Sequence, residues 1–237
     1  MSDKFCFYSK SADAKPGSGK GEQKNSKIKY TELEKITDWR KALSNFHIAP
    51  FRLDDNEWNS VEHFFHAVKF RYDKSQSAKT HNELEKAKKN YKFYQTFTLD
   101  SESPWSKDPI LAKRAGKTGR KLKNDKRYSD KILKLPTDGV IEMRQDFYTS
   151  NVPSRLQKVA FLAKFTQHED LKRLLLATGD AELWHYTGKR GKPKDDPGVI
   201  LLHELMIVRD CIRKFDQKCN LGELSQFSSD FITNILE

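Results

Sequence analysis

The chain has 237 residues, of which 36% are hydrophobic and 32% charged, and it carries 15 Phe, 8 Tyr and 4 Trp. That length allows a sizeable core, the aromatic content excludes bulk disorder, and no apolar run nears the ~18–20 residues of a bilayer span. Forty-four Lys and Arg against 33 Asp and Glu give a net charge of +11, which suits polyanionic partners and also plain solubility.

Cys6, Cys211 and Cys219 are odd in number and lack metal-ligand spacing, so reduced thiols and no metal are expected. No basic-then-apolar leader opens the sequence. The expectation is an intracellular, cytoplasmic or nuclear protein that is monomeric and has no membrane partner.

In chain order, Phe5–Tyr8 is β-prone and predicts a short strand. Residues 9–30 turn to Lys, Gly, Ser and Asp and predict a flexible basic insertion. Gly17-Ser18-Gly19-Lys20 within it lacks the flanking strand and full spacing of a phosphate loop. A short helix is expected near Leu33–Trp39, a β-like Phe51-Arg52-Leu53 follows, and Asp54-Asp55-Asn56 supplies a hairpin-type turn.

Trp58–Phe70 then predicts a helix, with Asn59 or Ser60 as N-cap. Val61, Phe64, Phe65, Val68 and Tyr72 fall within about ±60° of one direction and form a core-facing stripe. Glu62, His66 and Lys69 follow i, i+4, i+7 along its edge. Spacing alone leaves two readings for that strip, a solvated charged face or a reactive cleft with shifted pKa values.

Further helices are expected over His81–Phe97, from Pro109 to Gly116, over Val140–Tyr148, Ser154–Phe165 and Asp170–Thr178, and from Val199 to Phe215. Lys131–Pro136 reads as short and mixed, Gly188–Gly198 as a loop, and about 220–237 as a tail helix. Lys113, Arg114, Lys117, Arg120, Lys121 and Lys123 gather around Gly116 and Gly119. They suit either a phosphate or a helix C-terminus complementing its dipole. The whole predicts a mainly α, compact single-domain fold over 1–237 with a small β element near the N-terminus.

Three ordered blocks carry a family resemblance. Leu43-Ser44-Asn45-Phe46 with Trp58-x-Ser60-x-Glu62-His63-Phe64-Phe65-x-Ala67-x-Lys69-Phe70 resembles the opening motif of the NADAR (YbiA-like) superfamily. Ala112–Lys117 is similar to its glycine-arginine segment. Ala163-Lys164-Phe165-x-Gln167, with the leucine run Leu174–Leu176, is similar to its KF-x-Q block. The resemblance spans Phe5–Tyr8 and Leu43–Asp210, with the family's mainly α fold.

It implies a metal-free, cofactor-free N-glycosidase. The family's substrates are ADP-ribosylated guanine, in nucleic acid or as a nucleoside, or a riboflavin-pathway ribosylamino-pyrimidine phosphate. By position the catalytic residues are Glu62 and Lys69. A carboxylate can stabilise the cationic ribose carbon or handle a proton, and a partly desolvated amine can attack it. Either Lys69 is the nucleophile with Glu62 as acid/base, or Glu62 activates water.

Ser44, Asn45 and Phe46 would approach sugar and base, and Arg114, Gly116 and Lys117 the pyrophosphate. His66 stands where glutamine is common, as a substrate contact or a structural histidine; His63 reads as structural. Trp105 reads equally as a stacking platform or a core residue.

The C-terminal third departs from the family. His185 falls where a glutamate is usual, an Asp-x-x-Trp-Gly stretch has no counterpart, and Asp195 or Asp196 are candidate replacements. The leading expectation is an ADP-ribosyl glycohydrolase. The alternatives are the riboflavin-intermediate glycosidase and a non-catalytic module that binds ADP-ribose or nucleic acid.

Overall fold

The computed structural model describes residues 2–71, 80–117, 141, 143–144, 147–187 and 198–216. They form two compact units, Met1–His47 with Phe161–Glu237, and Ile48–Ala160. Among the described residues there are nine α-helices and five strands in two sheets. The fold is therefore mixed α/β, which corrects the mainly α expectation.

In the first unit, β1 (Lys4–Phe7) runs parallel to β4 (Glu182–Tyr186), and β4 runs antiparallel to β5 (Val199–Leu201). Phe5, Phe7, Leu33, Trp39 and Leu183 are buried, with the Phe5 ring edge-on to Trp39. Burying each such side chain contributes about 1.5–3 kcal/mol. Helices α1 (Thr31–Glu34), α2 (Trp39–Ala42), α8 (Glu169–Ala177) and α9 (His203–Asp216) complete this unit with the C-terminal part of α7 (Val152–Gln167).

Residues 9–30, expected to be a flexible insertion, are tied to β1 and α2. Gln23 bridges Lys4, and the Asp3 carboxylate accepts hydrogen bonds from the Asn25 and Ser26 amides and the Tyr30 hydroxyl. Glu22, its side chain 0% exposed, pairs with Arg40 at 2.7 Å and accepts from the backbone N–H groups of Cys6, Gly17 and Gly19. The glycine loop that resembled a phosphate loop thus holds the chain's own carboxylate. Composition did not disclose this, because the anion lies in the same segment as the amides that bind it.

In the second unit β2 (Phe51–Leu53) and β3 (Asn56–Trp58) form the expected hairpin, with Asp54 and Asp55 both at positive φ. Aspartate tolerates that conformation better than most non-glycine residues. Behind the hairpin lie α3 (Val61–Ala67), a 3-10 turn (Val68–Phe70), α4 (His81–Gln95), α5 (Pro104–Lys107) and α6 (Pro109–Lys117). Thr80 and Glu83 close a capping box on α4. Phe64, Phe70, Phe93, Tyr94, Phe97 and Trp58 make its core.

Local differences from expectation have local causes. Leu33–Trp39 is not one helix: Leu33 and Glu34 end α1 and Trp39 begins α2, with Asp38 left-handed at the join. The described residues of 140–148 are non-helical, with a turn at Phe147–Thr149. Val199–Leu201 is a strand rather than the first turn of α9, since β-branched residues beside β4 gain a ladder. Residues 119–136, 188–197 and 220–237, including Arg120, Lys121, Lys123, Asp195 and Asp196, lie outside the described residues.

Candidate active site

Ser60 occupies the N-cap position of α3 in extended backbone, but it does not cap: its hydroxyl sits 2.7 Å from His63 Nδ1. Burial pushes His63 down to about 4, so its ring is neutral at pH 7. The expected stripe is buried at Val61, Phe64 and Val68, while Phe65 is half-buried. The polar strip is buried as well, with Glu62 5%, His66 4% and Lys69 1% exposed.

The cause is α6, whose backbone lies against α3 on the side of this strip. A Cβ at Gly116 would lie 2.3 Å from His66 Nδ1, so only glycine permits this approach. Asp108 starts α6 by accepting from the Ile110 amide.

The three titratable groups form one hydrogen-bonded chain. Glu62 Oε1 is 3.0 Å from His66 Nε2, and His66 Nδ1 is 2.9 Å from Lys69 Nζ. A lysine ammonium can only donate and an ionised carboxylate can only accept. His66 therefore carries its proton on Nε2, donates to Glu62 and accepts from Lys69.

Burial pushes His66 below its ordinary pKa, with Lys69 and Lys113 adding to the effect, so the ring is neutral. Burial works to raise Glu62, but the His66 hydrogen bond and the nearby cations outweigh it and hold the carboxyl below the usual range. Lys113 Nζ lies 3.8 Å from Glu62. Lys69 sits against the rings of Phe65, Tyr148 and Phe147, at 5.1, 5.5 and 5.6 Å from their centroids.

The other predicted residues fall differently. Gly116 serves the packing of α6 on His66, and Arg114 is half-buried on the same helix. The Lys117 side chain is outside the described residues. Trp105 is 2% exposed and donates to Thr96 Oγ1 at 2.8 Å, beside Phe93 and Phe97, so it is a core residue whose faces are covered. Ser44, Asn45 and Phe46 belong to the first unit, where the Ser44 hydroxyl accepts from the Phe46 amide at 3.1 Å. His185 is on β4, its ring near Phe7.

Sequence reasoning gave Lys113 no part beside Glu62, and Phe147 and Tyr148 none beside Lys69. It also passed over Lys164, 0% exposed, which donates to the Ala42 and Ser44 carbonyls at 2.7 and 3.1 Å. A lysine inside the apolar pattern of α7 was the available signal. Among the described residues no group of His, Cys, Asp and Glu has metal-binding geometry.

No family model matches the chain. It is 26% identical over 168 residues to N-glycosidase YbiA of Shigella flexneri serotype 5b (strain 8401), covering 68% of this chain and 76% of that protein. The protein of the same name from Shigella flexneri matches with the same figures. Among solved structures, the NMR structure of the E. coli protein YbiA is similar with a TM-score of 0.45 and 23% identity, over 76% of this chain and 83% of that one. The 26% matches to the Shigella proteins agree with the resemblance of the ordered sequence blocks to the YbiA-like (NADAR) superfamily.

Proposed function

We propose that the protein is an N-glycosidase that cleaves the bond between ADP-ribose and a nucleobase, with guanine as the base. Kinship with proteins named N-glycosidase supports the general activity. The observation that carries the chemistry is the buried Glu62–His66–Lys69 chain, which couples a carboxylate and an amine through one imidazole. The net charge of +11 and half-buried Arg114 suit a pyrophosphate-bearing substrate.

In the reaction, the neutral Lys69 amine forms a bond to ribose C1″ as the C1″–N bond breaks. The base leaves with the electron pair and takes a proton from Glu62. The ribosylammonium so formed gives a proton back to the Glu62 carboxylate, the ribosylamine opens to a Schiff base, and water hydrolyses it to release ADP-ribose and restore Lys69. Positive charge develops at C1″ in the first step, and Glu62, becoming a carboxylate as its proton leaves, stabilises it in a buried site.

The test is release of ADP-ribose from ADP-ribosyl-guanosine, with a ribosylamino-pyrimidine phosphate assayed in parallel. Glu62→Gln and Lys69→Ala are each expected to lower kcat at least ~100-fold, the order of a lost acid/base or nucleophile. Cleavage of the pyrimidine phosphate alone overturns the substrate. Binding of ADP-ribose without turnover of either compound overturns the enzyme.

A further inference from the structure

We propose that His66 is a proton relay that carries the Lys69 proton to Glu62, making the nucleophile and the acid of the reaction in one step. This rests on the N-glycosidase reading above. The Nζ–H proton of Lys69 moves to His66 Nδ1, and the Nε2–H proton moves to Glu62 Oε1, across contacts of 2.9 and 3.0 Å.

Two N–H bonds break while one N–H and one O–H bond form. The ring ends in its other tautomer, Lys69 as a neutral amine and Glu62 as a carboxylic acid. The triad has zero net charge before and after, so no charge is created in a site whose members are 1–5% exposed. Lys69 then has the lone pair that attack on C1″ requires, and Glu62 the proton that the departing base requires.

The surroundings set the direction of the resting equilibrium. From α6, Lys113 at 3.8 Å favours ionised Glu62; from α3 itself, His63 is neutral, its burial outweighing the opposing pull of Glu62 and Asp108. The rings of Phe65, Phe147 and Tyr148 favour the Lys69 ammonium. The triad thus rests in its charged form, and each 1.4 kcal/mol of hand-off cost lowers the rate tenfold.

A glutamine at position 66 would keep both hydrogen bonds, its carbonyl accepting from Lys69 and its amide donating to Glu62. It could not pass a proton. His66 acts through Lys69 and Glu62 and need not touch the substrate.

The experiment compares full-length wild type with His66→Gln on ADP-ribosyl-guanosine across pH 5–10, in H2O and D2O. His66→Gln is expected to keep KM within about threefold and lose ~10–100-fold in kcat at neutral pH. The loss should shrink as pH rises and Lys69 gives its proton to solvent, and the wild-type solvent isotope effect should disappear. Identical pH profiles and isotope effects in the two proteins overturn the relay.

Nitrogen NMR of the histidine rings in substrate-free wild type is the independent arm. Nε2–H on a neutral ring at pH 7 is expected, whereas an Nδ1–H tautomer or an imidazolium overturns the relay. If wild type cleaves no N-glycoside, the functional reading fails by itself, and the NMR result judges the relay.

Discussion

Lys69 is 1% exposed, and an ammonium so placed persists only where nearby groups replace its hydration. His66 Nδ1 supplies an acceptor at 2.9 Å, and the three rings supply their negative faces, each worth about 0.5–2 kcal/mol. The position of His66 depends in turn on a residue that carries no side chain. Gly116→Ala would push a methyl group into the imidazole, given the 2.3 Å separation to Nδ1. We expect destabilisation of about 1–3 kcal/mol from this overpacking, read as a lower denaturant midpoint, together with lower glycosidase activity. Unchanged stability and activity would mean that α6 does not need to approach α3 so closely.

At the scale of elements, α3 was legible because its stripe and its i, i+4, i+7 strip lie within one local period. The burial of that polar strip was not, since it depends on α6, some fifty residues later, laying Gly116 over His66. The same limit hid the larger sheet. β1 pairs with β4 through Lys4 and Glu182, a contact that no local pattern announces, and Val199–Leu201 merged with the leucine-rich start of α9.

In the segment 9–30, glycines and lysines read as loop, while Glu22 and Arg40 form an ion pair with side chains 0% and 2% exposed. Breaking such a pair from one side usually costs about 3–5 kcal/mol.

Lys164 gives α7 a pH signature. Burial lowers its pKa from 10.5 to about 7, so between those values the unfolded chain binds the proton more tightly than the folded one. Its contribution to stability therefore rises as pH increases from about 7 towards 10.5 and is flat below about 7. Lys164→Met should flatten that slope in denaturant unfolding at pH 7 and pH 10. A slope that persists in Lys164→Met would place its origin in another group.

For the molecule as a whole, the candidate chemistry resides within Ile48–Ala160, in one helix and the turn that follows it. The positive surplus favours an anionic substrate in general but selects none in particular. In the proposed reaction Lys69 bonds to the sugar. The most direct test of that bond is borohydride reduction during turnover of ADP-ribosyl-guanosine, followed by mass mapping of the peptides. A reduced, sugar-derived adduct on Lys69 is expected in the wild type, weakened in His66→Gln and absent in Lys69→Ala. Cleavage that proceeds with no adduct, or with the adduct on another residue, would contradict attack by Lys69.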